Sequence, residues 1–120
     1  MTPPEARDSL TTITHETAEL LGVDGWEESG APSVASCGDG VKWAYSYAAP
    51  IPDAAHLENA QKVADYWEKL GMTVRINTDF DPVVFATGGP LQGISFSTGP
   101  GTYSIDGTSL CVPGDPNDWR

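Results

Sequence analysis

Few residues of this chain have the type and spacing that chemistry demands, and each such pattern is incomplete. His15 and Glu19 stand four positions apart, one helical turn, and a pair so placed can chelate a metal ion, but two ligands do not make a site. Thr78-Asp79-Phe80-Asp81 and Asp115-Pro116-Asn117-Asp118 carry paired carboxylates of the kind calcium uses, yet calcium takes about six to eight oxygens and no EF-hand spacing is present. Gly93-Ile94-Ser95-Phe96-Ser97 comes nearest to a G-x-S-x-G nucleophile elbow. It lacks the final glycine and lies inside a predicted strand rather than before a helix. There is no Ser-x-x-Lys, and the two histidines, His15 and His56, fall on predicted helices beside acids. Nothing indicates which two acids would flank a glycosidase cleft. Gly88-Gly89-Pro90 and Gly99-Pro100-Gly101 neither precede a helix nor carry a P-loop lysine, so they read as hairpin turns. The expectation is no catalytic residue, no metal site and no cofactor; an enzyme would need a cleft holding His15 or His56 with several acids.

The elements that hold these residues begin with a helix predicted over Pro3 to Leu21. Thr2 is its N-cap, Pro3 and Pro4 suit the first turn, Glu5 complements the positive helix end and Gly22 stops it. Ala6, Leu10, Ile13, Thr17 and Leu20/Leu21 recur at three- and four-residue steps, while Thr11, Thr12 and Thr14 lower helix propensity, so packing must hold this helix. Val23 to Gly40 reads mostly as loop, with a short strand over Ser33 to Cys37. Val41 to Ala48 alternates strictly, with Val41, Trp43, Tyr45 and Tyr47 on one side. A second helix runs from the Asp53 cap through Leu70, with Leu57, Ala60, Ala64, Trp67 and Leu70 on one stripe. Strands follow over Met72–Asn77, Pro82–Thr87, Gln92–Thr98, Thr102–Ile105 and Ser109–Val112, with Asp39-Gly40 and Asp106-Gly107 read as turns. Pro113–Arg120 reads as polar loop.

One face of these strands collects Val74, Ile76, Ile94, Phe96, Tyr103 and Ile105; the other collects Thr73, Arg75, Asn77, Ser95, Ser97, Thr102 and Ser104. An antiparallel sheet covered on one side produces this pattern. The expected fold is α+β: a two-layer sandwich, two helices on one face of a mainly antiparallel sheet, in the order α-β-α-β-β-β-β, forming a single domain over residues 1–120. The open polar face around Arg75, Ser95, Ser97 and Ser104 is a candidate binding face. Trp26 and Trp119, in predicted loop and tail, are candidate aromatic contacts. The row Trp43, Tyr45, Tyr47 reads as core before ligand platform.

Composition narrows the partners. The 120 residues carry 17 acidic and 6 basic side chains, a formal net charge of −11, which repels nucleic-acid phosphates and anionic membrane surfaces. No apolar run approaches the ~18 residues of a transmembrane helix. Met1–Leu10 has no apolar segment of the signal-peptide kind. Cys37 and Cys111 belong to no C-x-x-C pair and lie near the two ends of the predicted sheet region, which points to one structural disulfide. The other possibility is two buried thiols in a cytosolic protein.

The layout resembles the small extracytoplasmic domains of actinobacterial lipoproteins of the LppA-like kind. The resemblance lies in the long N-terminal helix, Cys37 followed by Val41-Lys42-Trp43-Ala44-Tyr45, the helix ending Tyr66-Trp67-Glu68-Lys69-Leu70-Gly71, the strand Val74-Arg75-Ile76 and the late Cys111. It implies a domain secreted or lipid-anchored to the cell membrane through a removed N-terminal segment, non-catalytic, binding a protein or small ligand or serving a structural role. The competing expectation is an acidic cytosolic inhibitor, of the immunity-protein type, that captures a basic protein partner. That reading requires free thiols.

Overall fold

The computed structural model of the chain describes residues 1–120. Helix α1 spans Pro3–Leu21. Thr2 caps it in a capping box: the Glu5 amide donates to Thr2 Oγ1, and the Thr2 amide donates to Glu5 Oε1 at 2.8 Å. Gly22 ends the helix in the left-handed region at φ 65°. The buried stripe is Ala6, Leu10, Ile13, Thr14, Thr17, Ala18 and Leu21, whereas Leu20 stays outside at 42 % exposure. Thr14 and Thr17 are tolerated there because their hydroxyls donate to carbonyls one turn back, Leu10 O at 2.8 Å and Ile13 O at 2.7 Å.

Three strands, not one or two, precede the second helix: β1 (Glu27–Glu28), β2 (Ser33–Cys37) and β3 (Gly40–Pro50). Helix α2 covers His56–Lys69 and starts later than the sequence predicts, with Ala55 as a cap that offers no side-chain bond. Its buried stripe is Asn59, Ala60, Val63, Ala64 and Trp67, and Leu57 falls at the margin of that stripe and is exposed. Then come β4 (Thr73–Asn77), β5 (Val83–Gly88), β6 (Leu91–Ser97), β7 (Thr102–Ser109) and β8 (Val112–Pro113).

The eight strands make one open antiparallel sheet in the order β1-β3-β7-β6-β5-β4, with β2 and β8 also paired to β3. Both helices lie on one face, so the architecture is the α+β arrangement that the alternating strands predict. Gly88-Gly89-Pro90 and Gly99-Pro100-Gly101 are the expected hairpin connections. Asp106-Gly107 is not a turn: β7 runs straight through it. Gly107 sits beneath α1, where a Cβ would come within 2.7 Å of Leu10 Cδ1, so the glycine serves close helix–sheet approach. Beyond Ser109 the chain leaves the sheet and returns as β8. The Trp43 amide, left without a backbone partner there, donates to Ser109 Oγ at 2.9 Å.

This detour carries Cys111 to Cys37, and the two form a disulfide with Cα atoms 6.0 Å apart. Gly40 makes room for it, since a Cβ would meet Val112 O at 2.4 Å and Cys111 Sγ at 3.2 Å. The core joins Leu10 of α1 and Trp67 of α2 to Val41, Val84, Phe96, Tyr103 and Ile105 of the sheet, all of them fully buried. No helix is long and apolar enough to cross a membrane.

Candidate functional site

Two surfaces gather side chains that sequence analysis singled out. The first is the sheet face away from the helices. Register places Arg75 beside Phe85, Phe85 beside Ser95 and Ser95 beside Asp106, with Ser46 next in the row; the adjacent row is Val83, Ser97, Ser104 and Ala48. Arg75, Ser95, Ser97 and Ser104 therefore do share one uncovered face. Their chemistry differs. The Arg75 guanidinium lies over the Phe85 ring, 4.4 Å from its centre, and Ser97 Oγ donates to Gly99 O at 2.9 Å. The Ser95 and Ser104 hydroxyls have no intramolecular partner, while Ser46 Oγ donates to Asp106 Oδ1 at 2.6 Å. Ser46, Arg75, Phe85, Ser95 and Asp106 line a shallow depression of about 470 Å³.

The second surface lies where the C-terminal half of α1 crosses β3. Alternation on β3 turns Trp43, Tyr45 and Tyr47 toward the helix; Trp43 and Tyr45 are core, and Tyr47 is half-buried. Trp26, in the segment after α1, folds back and stacks on Tyr47 with ring centres 5.4 Å apart and planes 13° from parallel. His15 packs on Tyr47 at 4.9 Å. Its Nε2 lies 3.0 Å from the Tyr45 oxygen, and that hydroxyl donates to Glu28 Oε2 at 2.7 Å. Because the phenol proton goes to Glu28, the His15 Nε2–H is the donor to Tyr45. Burial first, then the Glu28 carboxylate, holds the Tyr45 phenol above its usual range, so Tyr45 stays protonated. Beside this relay His15, Glu19, Val23, Asp24, Trp26 and Tyr47 line an open cleft of about 520 Å³.

Trp26 thus both plugs the edge of the core and walls a cleft. Trp119, expected in a polar tail loop, is carried by a 3-10 helix (Pro116–Trp119) that sets its ring edge-on to Trp43 at 6.2 Å, leaving it 38 % exposed. His56 is tied inward: its Nδ1 is 2.6 Å from the Tyr103 hydroxyl, which also accepts from Asn59 Nδ2 at 3.1 Å. That network joins α2 to β7. No three His, Cys, Asp or Glu side chains converge as a metal site would require.

His15, Glu19 and Asp24 line the same cleft. The sequence pairs His15 with Glu19 along the helix and marks Tyr45 in the aromatic row of β3, but nothing in it joins Tyr45 to His15 or to Glu28. Glu28 lies in a two-residue strand too short to show a period, and the contact of His15 with Tyr45 spans 30 positions. The alternation of β3, which turns Tyr45 toward the helices, was the one available signal.

No protein-family model matches the chain and no curated protein matches it. Among solved structures it is similar to a DUF4853 family protein from Actinomyces odontolyticus, at 18% sequence identity and a TM-score of 0.52. The likeness covers 93% of this chain and 64% of that one, so the chain spans less than two thirds of its neighbour's length. At that identity the likeness is one of fold.

Proposed function

We propose that this chain is a non-catalytic extracytoplasmic bacterial domain, secreted or lipid-anchored, that works by binding. The observation that carries the reading is the Cys37–Cys111 disulfide, since such bonds persist in oxidising compartments and are rare in reducing cytosol. A fold likeness to an Actinomyces protein is in keeping with the resemblance to actinobacterial lipoproteins. Binding is supported by two open surfaces whose polar groups are only partly used within the molecule. The cytosolic-inhibitor reading needs free thiols, and both cysteines are joined.

An enzyme is the second reading, favoured by the presence of His15, Glu19 and Asp24 in the lining of one cleft. It ranks below binding because His15 Nε2 is engaged by Tyr45, and Tyr47 supplies the only hydroxyl of the lining, with no serine, threonine or cysteine beside it. The test is peptide mapping of protein taken from its native host, alkylated before digestion and kept free of reductant. A linked Cys37–Cys111 peptide, together with recovery from the extracytoplasmic fraction, is the expected result. Two alkylated, unlinked cysteines would overturn the compartment and restore the cytosolic inhibitor.

A further inference from the structure

The geometry points to the cleft between α1 and β3 as a binding site for an aliphatic ammonium cation, an inference that rests on the binding reading above and names its ligand class. Two observations converge on it. The first is the wall: Trp26 stacks on Tyr47, whose other neighbours are Tyr45 and His15 at 4.9 Å, so the indole is the ring with a face left for a ligand. Aromatic rings attract cations through their negative faces, Trp most strongly. The second is charge. Glu19 and Asp24 line the same cleft, Glu28 stands behind Tyr45, and no lysine or arginine lines it. The chain has none between Arg7 and Lys42. Elsewhere the protein supplies its own cations to aromatic rings: Arg7 lies 5.5 Å over Trp43 and Arg75 lies 4.4 Å over Phe85. The Trp26–Tyr47 wall has no such internal cation.

Packing alone seats Trp26. Its Nε1 is the one buried side-chain polar atom in the protein without a hydrogen-bond partner. An unsatisfied buried donor is unfavourable, so what holds Trp26 in place is its ring and not its N–H. The lining also decides between ligand classes. A sugar platform pairs an aromatic face with amide and hydroxyl groups, and this cleft has no Asn, Gln, Ser or Thr. Two carboxylates beside stacked rings fit a cation whose methylene or methyl groups lie on the aromatic wall. A trimethylammonium head and a lysine-type primary ammonium share that chemistry.

The experiment titrates the intact, disulfide-bonded chain with choline, N-acetyl-lysine amide, 3,3-dimethylbutan-1-ol as the uncharged isostere of choline, and methyl glucoside, following the indole N–H resonances. The expected result is a saturable shift of the Trp26 resonance with one or both cations and none with the alcohol or the glucoside. The stronger of the two cations identifies the head group. Glu19→Gln and Asp24→Asn together, or Trp26→Ala alone, should weaken binding about tenfold. Trp119→Ala, at the far aromatic contact, should leave it unchanged. An equal response to choline and its uncharged isostere, a response to the glucoside alone, or no saturable response to either cation overturns the inference. Because purified protein is used, failure here leaves the disulfide mapping standing, and failure of the mapping leaves this result standing.

Discussion

At the scale of single residues, the informative side chains are polar groups placed where the fold constrains them. Tyr45 and Tyr66 are both held protonated above the ordinary tyrosine range, by burial first and then by the acceptors Glu28 and Glu16. A raised native pKa contributes stability that is complete below the unfolded value of about 10 and is lost as pH rises past it, because the unfolded chain releases a proton that the native one keeps. Urea midpoints measured from pH 8 to about 11 should therefore fall above pH 10 in the wild type. Tyr45→Phe and Tyr66→Phe should each flatten that fall by about one proton's slope; identical slopes in wild type and both variants would show that neither phenol is responsible. Neither acceptor was legible beforehand. Both contacts are long-range, and local pattern carries no record of them. Gly107 shows the complementary limit: Asp-Gly is the strongest short-range turn signal, yet here the glycine serves a helix that packs from nearly a hundred positions away.

At the scale of elements, the period-two strands and the stripe of α2 were legible because burial on one face imposes them. So were the bounds of α1, from the Thr2 cap to the Gly22 stop, whereas the start of α2 was not. The stripe of α2 begins at Asn59, so neither Asp53 nor Leu57 has a role in starting or seating the helix. How α1 meets α2 is clearer in the structure. The Trp67 indole donates to Thr17 Oγ1 at 3.0 Å, and the Thr17 hydroxyl donates to Ile13 O, so one hydroxyl serves both helices inside the core. Thr17→Val keeps the volume and removes that acceptor, leaving the fully buried indole N–H without a partner at a cost of about 1–3 kcal/mol. In a Trp67→Phe background the same substitution should cost clearly less, as chemical denaturation of the four-member cycle would show. Equal costs in both backgrounds would mean that the shared hydroxyl does not couple the helices.

At the scale of the whole molecule, the two-layer α+β plan followed from which residues alternate and which recur, while strand order did not. Pairing β3 with β7, and β8 back with β3, depends on contacts between residues 52 to 73 positions apart. The Cys37–Cys111 bond closes a loop of 74 positions around most of the sheet and all of α2. Replacing both cysteines by serine should lower stability by about 4 kcal/mol in the chain-entropy view, read as a lower urea midpoint that reductant no longer affects. An unchanged midpoint would show that the link constrains nothing the sheet does not already fix. Helix α1 lies outside that covalent loop. Under a pull applied to residues 1 and 120, the chain can lengthen only ahead of Cys37 and behind Cys111. The helix would unspool while the enclosed sheet kept its length, and His15 and Glu19 would leave the cleft with it. Tension on the N-terminal side would thus dismantle the aromatic–acidic cleft, with β1 and β2, before disturbing the strands inside the disulfide loop, so this domain's grip on a ligand would be set by mechanical load as well as by concentration.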